Sequence, residues 1–132
     1  MLFPKKLIKE AKKVATEIRR KEFTLPKNLK EKGWRSKQVD GICLEIYISP
    51  CKRFILKCNY IDGRGGKGMK YRIPTQVMRV GNSTWRIQPM AKTDKKSRAL
   101  AYKELRNKER DLPDFHNRNV GIYNHEAVLL DW

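Results

Sequence analysis

Gly41-Ile42-Cys43-Leu44-Glu45-Ile46-Tyr47-Ile48-Ser49-Pro50-Cys51-Lys52-Arg53-Phe54-Ile55-Leu56-Lys57-Cys58-Asn59-Tyr60-Ile61 is the stretch that decides the fold. Its side chains alternate. Ile42, Leu44, Ile46 and Ile48 point one way, and Cys43, Glu45 and Tyr47 the other. After Ser49-Pro50-Cys51-Lys52 the alternation resumes, with Phe54, Leu56, Cys58 and Tyr60 against Ile55, Lys57, Asn59 and Ile61. A period of two marks strands, and so short a connection makes them an antiparallel hairpin.

Working outward, the same pattern recurs. Asp62-Gly63-Arg64-Gly65-Gly66-Lys67-Gly68 is a loop, and Met69, Tyr71 and Ile73 alternate with Lys70 and Arg72 as a third strand that Pro74 ends. Val77–Val80 and Thr84–Gln88 flank Gly81-Asn82-Ser83 as a second hairpin, with Trp85 and Ile87 on one face and Arg86 on the other. A helix is expected over 94–110 with Thr93 or Asp94 as its N-cap. Its packing side is Ser97, Ala101 and Leu105, with Leu100 and Tyr102 beside them.

At the other end, Pro4 to Glu22 reads as a helix. Leu7, Ile8, Ala11, Val14, Ala15 and Ile18 form one stripe of a 3.6-residue period, and Pro4 suits the first turn. Residues 23–38 read as an irregular basic arm, interrupted by Pro26 and Gly33, in which Trp34 is either a hydrophobic anchor, the favoured reading, or a stacking aromatic. The expected fold is α+β: an antiparallel sheet of three to five strands packed on one or two helices, with a basic N-terminal helix. Its expected core is Leu44, Ile46, Phe54, Leu56, Tyr71, Ile73, Trp85, Ile87, Ala101 and Leu105. The expected organisation is residues 1–37 as basic helix and arm, 38–110 as sheet-plus-helix core, and 111–132 as a tail docking on the core or on a partner.

Charge carries the functional reading. The 132 residues hold 31 Lys and Arg against 14 Asp and Glu, a net charge of +17. Residues 1–37 carry 13 basic and 4 acidic groups, residues 38–92 carry 10 and 3, and residues 93–132 carry 8 and 7. Such an excess repels itself and calls for an anionic partner, most commonly a nucleic acid, whose binding releases counterions. The candidate contacts are Lys57, Lys70, Arg72, Arg79 and Arg86 at polar strand positions, which make one basic sheet face with Tyr47 nearby if their strands are neighbours. Arg64 and Lys67 join them from the Gly-rich loop, where glycine lets backbone approach phosphate. From the first helix, Lys5, Lys9, Lys12 and Arg19 are expected to face phosphates while the stripe packs.

Other classes are less well supplied. The Gly-rich loop lacks the Walker A pattern and does not open a helix as a dinucleotide fingerprint does. Cys43, Cys51 and Cys58 lack zinc-knuckle spacing; their odd number and the absence of an apolar leader after Met1-Leu2-Phe3-Pro4 suggest reduced thiols in a cytoplasm. No apolar run approaches the ~20 residues of a membrane span. His116 and His125 are the only histidines, and neither completes a catalytic or metal-binding set. No cofactor, metal or catalytic residue is expected.

Two stretches resemble known DNA-binding domains built on three-stranded sheets. Lys52-Arg53-Phe54-Ile55-Leu56-Lys57 followed by Asp62-Gly63-Arg64 is similar to the arm-binding region of tyrosine recombinases. Trp85-Arg86-Ile87 followed by Arg98-Ala99-Leu100-Ala101-Tyr102 resembles the AP2 type. The resemblance implies a sheet that enters the major groove and a helix that backs it. Together these observations lead to the expectation of a non-enzymatic nucleic-acid-binding protein, DNA favoured over RNA, of the kind a phage or mobile element uses as a small regulator. The alternatives are a module that binds an acidic protein partner, such as a ribosome-associated factor or an inhibitor of a nucleic-acid enzyme, and a small metal-dependent nuclease.

Overall fold

In the computed structural model, residues 3–39, 42–58, 71–108 and 120–130 are described, with the side chains of 38–39 and 42–44 left aside. The chain divides into two compact units. One comprises Met1–Ile61 with Pro74–Pro89, the other Asp62–Ile73 with Met90–Trp132.

The first unit is a five-stranded antiparallel sheet under a helix. Its elements are α1 (Lys5–Arg20), α2 (Lys27–Glu31), β1 (Arg35–Val39), β2 (Ile42–Ile48), β3 (Phe54–Cys58), β4 (Gln76–Val80) and β5 (Ser83–Pro89). The strand order is β1-β2-β3-β5-β4, so β5 enters between β3 and its own hairpin partner. At the β2–β3 turn, the Lys52 N–H donates to the Ser49 carbonyl at 2.9 Å, and Lys52 takes a φ of +58°. The β4–β5 turn is Gly81-Asn82, and Gly81 has a φ of +63°, a region glycine enters without steric cost.

Register fixes which face is buried. Tyr47, Leu56, Ile87 and Gln76 lie across from one another in one row, and Cys58, Trp85 and Met78 in the next row on that face. This is the face that packs on α1 through Ala11, Val14, Ala15 and Ile18, with Leu7 and Ile8 half-buried at the margin. The expectation for β2 is therefore reversed. Tyr47 is 1% exposed in the core, while Ile46 and Ile48, on the opposite face, are only half-buried. A long-range bond explains the reversal: the Tyr47 hydroxyl donates to the Phe23 carbonyl at 2.7 Å, so the phenol enters the core with its polar end satisfied. Glu22 and Phe23 both adopt positive φ beyond the end of α1, which costs about 1–2 kcal/mol per residue. In return the Phe23 ring stacks on Trp85 at 6.2 Å between centroids. Trp85 is fully buried, and among the described residues its indole N–H has no acceptor, so packing holds it.

The arm read as irregular contains α2 and β1. Trp34 is buried there, edge-to-face with Phe54 at 5.9 Å. β1 pairs with β2 around a bulge between Ser36 and Gln38.

The second unit combines α3 (Lys95–Lys108) with an antiparallel pair, β6 (Val120–Tyr123) and β7 (Glu126–Leu129). Asp94 caps α3: its carboxylate accepts from the Ser97 N–H at 3.1 Å and from the Ser97 hydroxyl at 2.6 Å. These bonds hold the Asp94 carboxyl below the ordinary range. Ala101 and Leu105 bury against Val120, Ala127 and Leu129, whereas Leu100 is 55% exposed and Tyr102 half-buried. The two-residue β6–β7 turn, Asn124-His125, has φ values of +51° and +66°, the signature of a type I′ hairpin.

The third strand is corrected. Within the described part of Met69–Ile73, Arg72 makes one parallel bridge to Leu129 in the second unit and belongs to no named strand. Two of the expected core residues belong to the same unit: Ile73 is buried with Val128 and Leu130, and Tyr71 is half-buried beside Leu105. The side chain of Leu44 lies outside the description.

Candidate nucleic-acid interface

The amphipathic period of α1 sorts its charges as well as its apolar residues. With the stripe against the sheet, Lys5, Lys9 and Lys12 are exposed on the flank beside β4. There they line a groove of about 230 Å³ together with Ile8 and Gln76. The acids take the other flank. Glu17 accepts from the Asn28 side-chain amide of α2 at 3.5 Å, and Glu10 stands two turns before it. Among the described residues, no carboxylate pairs with Lys5, Lys9 or Lys12. A rise of 1.5 Å per residue spreads these three ammonium groups over about 10 Å of axis. One strand of duplex DNA places about three phosphates in that length.

Arg19 continues this flank but is half-buried. Its guanidinium rests on the β4–β5 turn, where a Cβ added to Gly81 would stand 2.5 Å from Nη1. Arg19 therefore packs on the turn, and the three lysines are the open part of the flank.

The sheet candidates divide. Lys57 and Arg86 are cross-strand partners on the face away from α1, in a row that Ile46 and Val77 complete. Arg79 lies on that face as well, two residues beyond Val77. Arg79 is exposed and Arg86 half-buried, but Lys57 is 7% exposed and offers little surface to a ligand. Tyr47 is on the opposite, buried face. Arg72 is on neither, since it pairs in the second unit. Arg64, Lys67, Lys70 and the rest of the Gly-rich loop lie outside the described residues, as does His116. The two parts of the AP2-like stretch fall in different units, Trp85-Arg86-Ile87 in β5 and Arg98–Tyr102 in α3.

Sequence reasoning passed over Gln76, which closes the groove at the start of the edge strand. The one available signal was its polar place between Pro74 and Val77. Exposed cations at Lys6, Lys13, Arg20, Lys27, Lys30, Lys32 and Arg35 were also left out, and all belong to the first unit.

Two described thiols differ sharply. Cys51 is exposed in the β2–β3 turn, and its hydrogen bond with the Ser49 hydroxyl draws its pKa down. Burial pushes the Cys58 thiol up to about 11, helped by the Glu45 carboxylate and opposed by Arg19. Among the described residues, no three His, Cys, Asp or Glu side chains gather as a metal site, and no helix is long and apolar enough to cross a membrane.

Comparison with known proteins finds no matching family model, no similar curated protein and no similar solved structure.

Proposed function

We propose that this is a non-enzymatic nucleic-acid-binding protein that holds a duplex backbone, preferably DNA, on the cationic flank of α1. The observation that carries the reading is the row Lys5, Lys9 and Lys12: exposed, without carboxylate partners among the described residues, and segregated from the acids of the same helix. Ammonium groups held in this way take phosphates by counterion release. Arg79 and the exposed cations of α2 and β1 lie on other sides of the same unit and add to its net positive charge. The aromatics support backbone over base contact. Trp34, Tyr47, Phe54 and Trp85 are buried in the core, with Phe23 packed against it, so none of these rings is free to stack on an unpaired base. Phosphate contacts position a protein without reading sequence, so binding should be weakly sequence-dependent.

The test is a salt titration of binding to labelled duplex DNA, with duplex RNA and single-stranded DNA as further arms. Reversing Lys5, Lys9 and Lys12 to Glu together should lower the log–log salt slope on duplex DNA by about two to three units, at about 0.9 per phosphate. Reversing Lys95, Lys96 and Arg106 in the second unit should change it by less than about one unit. A triple α1 variant that stays folded by circular dichroism and keeps its slope would reject the interface. Cleavage of the duplex with Mg²⁺ or Mn²⁺ would reject the non-enzymatic reading.

A further inference from the structure

The groove beside α1 contains a residue that its place in the sheet does not explain. Gln76 completes the row of Tyr47, Leu56 and Ile87 on the face that packs against α1. Leu56 and Ile87 are buried and apolar, and buried Tyr47 has its hydroxyl bonded to the Phe23 carbonyl. Gln76 is half-buried, because β4 is the edge strand. Among the described residues, its Oε1 is buried with no donor. An unpaired buried acceptor destabilises a fold, so an apolar side chain would serve the core better, and the amide calls for another reason.

The amide can be placed along the helix. Gly81 lies against the Arg19 guanidinium. Five strand residues lead back from Gly81 to Gln76, about 17 Å. Eleven helical residues lead back from Arg19 to Ile8, also about 17 Å. Gln76 is therefore level with Ile8, midway along the row from Lys5 to Lys12, in agreement with the residues that line the groove. With Oε1 turned into the protein, the amide nitrogen is left to the groove; the reverse orientation would bury two donors in place of one acceptor. Lys5, Lys9, Lys12 and the Gln76 amide are then all donors, and no carboxylate lines the groove among the described residues. Such a set takes a ligand that only accepts, as an ionised phosphate does. The lysines bring charge on flexible stems. Gln76 stands on a strand paired with Ile87, so its amide brings direction.

We propose that Gln76 seats the nucleic-acid backbone on α1, its amide N–H donating to a non-bridging oxygen of one phosphodiester while Lys5, Lys9 and Lys12 neutralise that phosphate and its neighbours. This rests on the proposed binding of nucleic acid by the α1 flank. It adds a contact fixed by the sheet to a row of charges fixed by the helix.

The experiment is the duplex DNA salt titration on the full-length protein with Gln76→Met and Gln76→Lys, each checked by circular dichroism and urea denaturation. Methionine keeps the volume and removes both the donors and the unpaired oxygen. Gln76→Met should bind about three- to tenfold more weakly at every salt concentration, with the wild-type slope, because the number of neutralised phosphates is unchanged. Its urea midpoint should not fall. Gln76→Lys should steepen the slope by about one unit, a gain that a misfolded variant could not give. Duplexes with and without 5′-phosphates should bind alike. Wild-type affinity in Gln76→Met, or an unchanged slope in Gln76→Lys, would overturn the proposal. So would weaker binding that comes with a lowered urea midpoint, which would make Gln76 structural, or a preference for 5′-phosphates, which would move the contact to a chain end. The triple reversal of Lys5, Lys9 and Lys12 keeps the two readings apart. If it lowers the slope while Gln76→Met binds as wild type does, the α1 interface stands and the role of Gln76 falls; if it leaves the slope intact, both fall.

Discussion

The two units share a chain but not a plan. The first holds 18 basic against 6 acidic residues, the second 13 against 8. The first has the larger core: both buried tryptophans, Tyr47, and the apolar stripe of α1 closing one sheet face. The second rests on a 14-residue helix over a hairpin of two four-residue strands, with aliphatics between them. Like charges crowded on a surface oppose compactness. The charge is therefore densest where the most apolar surface has been withdrawn from water. The unit with less to spare carries the smaller excess of positive charge and exposes a leucine.

The largest effect that would test this contrast is Trp85→Ala. Removing a fully buried aromatic costs about 3–5 kcal/mol, enough to unfold the first unit. Methyl NMR signals of Ala127 and Leu129 should survive if the second unit folds on its own core; their simultaneous loss would merge the two units into one cooperative structure. Trp85→Phe should cost much less, because it also deletes the N–H that has no acceptor.

A smaller effect is expected at the β4–β5 turn. Gly81→Ala places a Cβ at a φ of +63° and against the Arg19 guanidinium. The long Arg19 side chain can swing away, so the backbone term dominates, at about 1–2 kcal/mol in urea denaturation. Asn, which tolerates that region, should recover part of the loss. No difference between Ala and wild type would mean that the turn has relaxed.

Smallest is the cap of α3. The Asp94 carboxyl is depressed in the folded state, so its contribution is present above its unfolded pKa of about 3.9 and lost as pH falls through the lower folded value. Protection of the Ser97 amide from hydrogen exchange should fade over that acid window, and Asp94→Ala should abolish the pH dependence. The first unit should show no change at Asp94→Ala.

Much of the architecture was legible in the sequence because periodicity is local. The stripe of α1, both hairpins of the sheet and the helix after Asp94 follow from spacing alone. What failed depended on partners far along the chain. Ile42, Leu44, Ile46 and Ile48 read as the core face of β2, yet the bond from Tyr47 to Phe23 turns the other face inward. Arg35-Ser36-Lys37-Gln38-Val39 has one apolar residue, and only its pairing with β2 makes it a strand. Tyr71 to Ile73 alternates as a strand does, but it belongs with Leu129 to the second unit and makes a single bridge there instead of joining the five-stranded sheet. The candidate site divides the same way. Exposure of Lys5, Lys9 and Lys12 follows from helical geometry, whereas the burial of Lys57 and the approach of Gln76 to α1 are set by tertiary packing.

The order β1-β2-β3-β5-β4 also bears on how the chain is made. The first unit is interrupted by Asp62–Ile73 and completed only at Pro89. During synthesis, β3 emerges with β2 beside it but without its second neighbour, and waits until β4 and then β5 have followed. Throughout that delay the apolar stripe of α1 has only half a sheet to cover. Long-range pairing of this kind is slow and leaves unpaired edges open to wrong partners. No single cut separates the units, since each contains a piece of chain flanked by the other. Fragments ending before residue 89 should aggregate, and isolating either unit would require excising the segment between its two pieces and joining them directly.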